Sequence, residues 1–230
     1  MPGTLQIAPS MGCCDLFDFK RQVEFIDEHA DFLHIDIKDG NYVKTFSIGP
    51  DFMAALKPHV KTPMDVHLMV KHPQEYLEAC AEAGATYITP HTDCIESDAF
   101  VTINKIRSLG CKAGIAMNPA VPLSAIEYYL PLLSKVTIMI VDAGYAGQKV
   151  IEPMYDKIRA LVNMREERGL DFLIEADGSM NAGVYKPLYE AGADVVVAGP
   201  PALWNKDSDI ERAWQIMESE IASELAEAHR

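Results

Sequence analysis

A single (β/α)8 barrel of the TIM type is the fold this sequence predicts, and three observations predict it. Eight short, β-branched apolar runs recur with starts about 22 to 37 residues apart, the length of one strand–helix unit. Amphipathic stretches separate the runs, and the runs themselves are apolar almost throughout, as strands of a parallel sheet covered by helices must be. No linker, charge block or low-complexity tract interrupts the 230 residues, so one α/β domain spanning residues 1–230 is expected. A doubly wound open sheet is the main rival, but its usual complement is fewer strands.

The first run, Leu5–Ser10, leads into Leu16–Glu28, where Phe19, Val23 and Ile26 share one helical face. The next strands are expected at Phe32–Lys38, Met64–Met69, Tyr87–His91 and Lys112–Met117, followed by Lys135–Val141, Phe172–Asp177 and Asp194–Gly199. Met154–Arg168 repeats the helical pattern through Ile158, Leu161 and Val162. Ala83-Gly84-Ala85, Leu109-Gly110-Cys111 and Ala191-Gly192-Ala193 put Gly where a helix ends and the chain turns into a strand. Asp207–Arg230 reads as a long closing helix. Tyr128, Tyr129, Trp204 and Trp214 read as core or interface packing rather than as a stack for a cofactor, and the eleven Met as core filler.

Composition narrows the function classes. A net charge of −14 repels nucleic acid and anionic membranes. No apolar run approaches the ~20 residues that span a bilayer, and the N-terminus lacks a signal-peptide pattern, so a cytoplasmic protein is expected. Cys13, Cys14, Cys80, Cys94 and Cys111 are odd in number and show no CxxC spacing, which reads as reduced thiols.

In this fold the active site lies at the C-terminal ends of the strands. Polar groups end them here: Ser10 on strand one, His34 and Asp36 on strand two, His67 on strand three, His91 on strand four and Asp177 on strand seven. Side chains alternate along a strand, so His34 and Asp36 share a face, the barrel interior if Leu33, Ile35 and Ile37 pack outward. Any one of these groups alone is more often a hydrogen-bonded core pair. Two imidazoles and two carboxylates at one end of one barrel suit a divalent metal, because burying both carboxylates without a cation or protons is costly. Glycines in the following loops, Gly144-Tyr145-Ala146-Gly147, Gly178-Ser179 and Gly199-Pro200-Pro201, suggest a backbone cradle for an anionic group.

The blocks His34-Ile35-Asp36-Ile37-Lys38-Asp39-Gly40, Asp65-Val66-His67-Leu68-Met69-Val70, Gly144-Tyr145-Ala146-Gly147-Gln148 and Glu175-Ala176-Asp177-Gly178-Ser179 resemble the signatures of the ribulose-phosphate 3-epimerase family. The resemblance runs from Ile7 to about Met217 and implies a barrel of the ribulose-phosphate-binding type. Trp204-Asn205, Asp209-Ile210-Glu211-Arg212-Ala213-Trp214 and the Asp-Gly-Ser at 177–179 are most similar to the branch acting on D-allulose 6-phosphate. By that resemblance His34, Asp36, His67 and Asp177 hold one divalent ion (Zn, Mn, Co, Fe or Mg). Asp36 and Asp177 are also the two acid/base carboxylates. Ser10, His67, Gly144, Tyr145, Ala146, Gly147, Gly178, Ser179, Gly199 and Pro200 contact the substrate. The expected reaction interconverts D-allulose 6-phosphate and D-fructose 6-phosphate, in a homo-oligomer, dimer or hexamer.

Departures from the family pattern fall on the substrate side. Lys38 stands where Met is usual, Ala143 follows Asp142 in place of Pro, and Pro90-His91-Thr92-Asp93 replaces a familiar Leu-His-Pro-Glu. Pro200 replaces a Ser or Thr and so removes an N–H and a hydroxyl. Lys38 and His91 are therefore candidate specificity residues. The alternatives are the same chemistry on another ketose phosphate such as D-ribulose 5-phosphate, a free ketose as substrate, or a sugar-phosphate-binding barrel without catalysis. An unrelated barrel such as a decarboxylase or aldolase stays open; the latter would need a Schiff-base lysine, for which Lys38 is the candidate.

Overall fold

The computed structural model describes residues 4–145 and 147–228. Strands β1 (Gln6–Pro9), β2 (Leu33–Lys38), β3 (Met64–Met69), β4 (Ala85–Pro90), β5 (Lys112–Met117), β6 (Lys135–Met139), β7 (Leu173–Asp177) and β8 (Val195–Ala198) pair in parallel, in the order β1-β8-β7-β6-β5-β4-β3-β2. A parallel bridge between Ser10 and His34 joins β1 to β2 and brings the sheet round into a barrel. The eight expected strands are the eight observed ones. β6 is shorter than expected, ending at Met139 rather than Val141.

Outside the barrel lie α1 (Phe19–His29), α2 (Pro50–Leu56), α3 (Leu77–Glu82), α4 (Ala99–Ser108), α5 (Pro153–Glu167), α6 (Tyr185–Ala191) and α7 (Ile210–Ala228). Between β5 and β6 the described residues form two short 3-10 turns, Leu123–Ala125 and Leu130–Leu132, instead of an α-helix. Pro119, Pro122 and Pro131 explain this, since each removes a backbone donor and disfavours helical geometry in the residue before it. α7 is longest because Ile210, Ala213, Trp214 and Met217 recur at helical spacing and are all buried. Asp209 starts it, accepting the N–H groups of Glu211 at 3.0 Å and Arg212 at 3.2 Å. Tyr129 and Trp214 are core residues and Trp204 packs against the core, whereas Tyr128 is exposed. All five cysteines are free thiols, and no helix of the described residues is long and apolar enough to cross a membrane.

Strand alternation sorts the side chains. Leu33, Ile35 and Ile37 of β2 join the core between strands and helices, which turns His34 and Asp36 inward. On β7, Leu173, Glu175 and Asp177 share the inner face, stepping from the floor of the barrel to its mouth. Phe32, Tyr87, Val195 and Ala8 form the floor with Leu173.

Above that floor lies a charged layer that the sequence reading passed over. Lys135 sits between Asp65 and Glu175 Oε1, the latter at 2.7 Å, and all three are buried. Thr137 Oγ1 also donates to Glu175 Oε1, at 2.7 Å. Burial first, then the charge of Asp65, pushes the Glu175 carboxyl up to about 7 from an ordinary 4.5. Between those values the folded chain keeps a proton that the unfolded chain releases. The contribution of this group to stability is therefore complete below pH 4.5 and is lost as the pH rises toward 7. Glu175→Gln, uncharged throughout, is expected to flatten that fall in chemical denaturation series; an unchanged slope would contradict the assignment.

Candidate metal centre and active site

The strand ends converge as the alternation requires. Asp36 Oδ1 lies 3.3 Å from His34 Nε2 and 3.4 Å from His67 Nδ1, and Asp177 Oδ2 lies 3.3 Å from the same His67 nitrogen. One donor atom from each of the four residues falls within 4.8 Å of every other. His34 Nε2 and His67 Nδ1 are buried and have no hydrogen-bond partner. Two orphaned imidazole lone pairs and two carboxylates, separated by the edge length of a tetrahedron with bonds of roughly 2.0–2.1 Å, fit a divalent cation. The expected ligand set is thus brought together.

Three of the four candidate ligands are backed, each differently. His34 Nδ1 bonds Asp65 Oδ2 at 3.0 Å, and Asp65 in turn meets Lys135. Sequence reading missed Asp65 as a support, although its place two residues before His67 puts both on the inner face. His67 Nε2 lies 2.9 Å from His91 Nε2. Ser10 Oγ donates to Asp36 Oδ2 at 2.7 Å. Burial opposes charge on Asp36, but the close imidazoles of His34 and His67 outweigh it and hold the carboxyl well below its ordinary range. Burial also opposes charge on His34, and Asp36 overrides it, raising the imidazole well above its ordinary value. His91 goes the other way, since burial and the neighbouring His67 both keep it neutral. A cation at this centre would replace imidazole protons, so its binding releases them.

A cavity of about 690 Å3, counting its open mouth, lies over the carboxylates. Ser10, Asp36, Lys38 and Asp177 line it from below, and Gly144, Tyr145, Gly178, Ser179, Gly199 and Pro200 line it from the loops. Met69 and Met139, not foreseen as site residues, supply apolar wall. Gly147 follows the same loop with φ +85°; Ala146 lies outside the described residues. His91 is buried behind His67, away from the residues that line this cavity.

The loop after β7 needs its sequence. Gly178 has φ +121°, and a Cβ there would come within 2.4 Å of Val141 Cγ2. Ser179 is left-handed at φ +46°, the one non-glycine in that region among the described residues, and its buried Oγ has no partner. Strain of this kind, beside a buried hydroxyl without a partner in a residue that lines the cavity, is characteristic of a functional site. Gly178→Ala is expected to cost at least about 2 kcal/mol in stability from strain and overpacking. Chemical denaturation measures it, and a cost below about 0.5 kcal/mol would mean the loop has slack.

The loop after β8 is poor in donors. Pro200 and Pro201 have no N–H, and the N–H groups of Ala202 and Leu203 both bond the Gly199 carbonyl, at 3.2 and 3.1 Å. Lys38 supplies the only cationic side chain of the cavity wall among the described residues, and it has no hydrogen bond or ion pair there.

Fold and site together define a (β/α)8-barrel enzyme with a cation-competent His2Asp2 centre under a glycine-lined pocket. A sequence profile of the ribulose-phosphate 3-epimerase family matches residues 6–203, and the chain belongs to that family, whose members are carbohydrate epimerases of the isomerase class. It is 40% identical over 201 residues to a ribulose-phosphate 3-epimerase of Synechocystis sp., covering 86% of this chain and 87% of that one. The corresponding protein of Rhodobacter capsulatus is 40% identical over 199 residues, covering 85% of each. That of Bacillus subtilis is 35% identical over 205 residues, covering 88% and 94%. Among solved structures, a tryptophan synthase alpha-subunit from Pyrococcus furiosus superposes with a TM-score of 0.64 at 16% identity, covering 98% of both chains, a likeness of fold alone.

Proposed function

We propose that this protein is a divalent-metal-dependent 3-epimerase of a ketose phosphate, interconverting D-allulose 6-phosphate and D-fructose 6-phosphate. The observation that carries the chemistry is the pair Asp36 and Asp177, whose carboxylates both approach His67 Nδ1, at 3.4 and 3.3 Å, under one pocket. Inverting a carbon needs one group to remove its proton and another to return one on the opposite face. His34, Asp36, His67 and Asp177 would hold the cation, which when bound would supply Lewis acidity that makes the C–H beside the substrate carbonyl easier to remove.

The protein's own groups do the rest. Ser10 Oγ, donating to Asp36 Oδ2 at 2.7 Å, orients that carboxylate toward the pocket. One of the two Asp side chains begins as the base at carbon three and the other as the acid, and the roles exchange in the reverse direction. Met69, Met139 and Val141 exclude water from that side of the cavity.

Ser179 beside Gly178, with Trp204-Asn205, supports the six-carbon substrate. The names of the relatives favour a second reading, D-ribulose 5-phosphate. Proton NMR of the metal-loaded protein in deuterium oxide separates them. Loss of the carbon-three proton of D-fructose 6-phosphate, with growth of D-allulose 6-phosphate, is expected. Exchange confined to D-ribulose 5-phosphate would transfer the assignment to the pentose, and exchange with neither, in protein shown to hold metal, would overturn both substrates and move the search to free ketoses and other ketose phosphates.

With the β8 loop poor in donors, Lys38 is the group suited to the anionic end of the substrate. Lys38→Met is expected to lower kcat/KM about tenfold or more for the phosphorylated ketose, the worth of one charge-assisted hydrogen bond. The free ketose should be unaffected; equal losses on both would remove Lys38 from phosphate recognition. The dimer or hexamer that the resemblance implies is tested by light scattering.

A further inference from the structure

We propose that His91 is a positioning residue, which from behind His67 fixes the tautomer and ring plane that point His67 Nδ1 at the cation. The inference rests on the reading above that His34, Asp36, His67 and Asp177 hold a divalent metal.

With a cation at His67 Nδ1, one proton arrangement remains. Two imidazole nitrogens 2.9 Å apart, His67 Nε2 and His91 Nε2, share a single proton between them. His67 Nδ1 faces both carboxylates and must offer a lone pair to bind a cation, so the ring carries its hydrogen on Nε2. That hydrogen is donated to His91, whose Nε2 is the acceptor. His91 therefore carries its own hydrogen on Nδ1. On that side Asp93 Oδ1 lies at 4.0 Å, too far for a hydrogen bond, and His91 Nδ1 has no partner among the described residues.

Packing holds His91 in place of bonds. Its ring lies nearly end to end with that of His67, centroids 5.0 Å apart and planes 26° apart, and the Tyr42 ring lies beside it with centroids 4.8 Å apart. Tyr42 is anchored in turn, donating to Asp93 Oδ1 at 3.0 Å and accepting from Asn118 Nδ2 at 2.6 Å. The two histidine ligands thus differ in their supports. His34 donates to a carboxylate, Asp65, whereas His67 donates to a neutral imidazole. A partner of this kind orients the ligand and sets its basicity, and losing one costs metal affinity.

Chelator competition with Zn2+ on the wild type, His91→Leu and His91→Gln tests the idea without using turnover. His91→Leu is expected to weaken zinc binding about 10- to 100-fold, and His91→Gln, whose amide oxygen can accept, to recover most of that loss. Nitrogen-15 NMR of the zinc-loaded wild type should show His91 with hydrogen on Nδ1 and a bare Nε2. This measurement stands by itself if His91→Leu fails to fold. Unchanged zinc affinity in folded His91→Leu, or hydrogen on His91 Nε2, would overturn the proposal. A wild type that binds no divalent cation would instead overturn the metal reading, and this inference with it.

Discussion

Asp177→Asn and Asp36→Asn are each expected to lower turnover by at least about a thousandfold and to abolish solvent exchange at carbon three. Loss of one acid/base group alone is worth about 10²–10⁴. Each Asp is also a cation ligand in the proposed site, so the amide should weaken metal binding as well. Assays at saturating metal, with bound metal measured, separate the two effects. The substitutions preserve shape, and both side chains sit about one-seventh exposed at the mouth, at 15% and 14%, so folding should survive. An enzyme still turning over within tenfold of the wild type after either change would not use two carboxylates, and inversion by Asp36 and Asp177 would have to be abandoned.

Lys135→Met is expected to be the most destabilising single change, at about 3–5 kcal/mol. Breaking one side of a buried ionic cluster leaves an uncompensated charge in a low-dielectric interior. Burial would raise Asp65, but Lys135 first and then His34 hold it well below its ordinary range, and removing the lysine takes away the larger of these two opposing effects. Glu175 can relieve itself by keeping its proton; Asp65 has only His34 left as a counter-charge. Urea denaturation at neutral pH measures the loss, and a cost below about 1 kcal/mol would show that water or a rearranged Asp65 compensates. Because Asp65 anchors His34, metal affinity should fall in the same variant.

The barrel was legible because its signals are local. A run such as Met64–Met69 recurs at the strand–helix spacing, and β3 has those bounds. The alternation of Leu33, His34, Ile35 and Asp36 sorts inner from outer faces before any partner is known. The four candidate ligands were readable for the same reason, since each ends an apolar run. The missing helix between β5 and β6 was also written locally, in Pro119, Pro122 and Pro131, but the regular spacing of the strands concealed it.

Pairings across the barrel were not legible. Lys135 meets a carboxylate 70 residues before it and another 40 residues after it, and nothing local marks those partners. The place of His91 behind His67 depends on the register of β3 against β4, and the left-handed turn at Ser179 on the loop against Val141. By itself the sequence determined the strands, their inner faces and the residue types that reach the mouth, because those follow from side-chain period and polarity along one chain. Only the tertiary structure decided which charges neutralise one another, which nitrogen of each histidine faces the centre and which lysine stands unpaired in the pocket, because these depend on distances of a few ångströms between strands far apart in sequence.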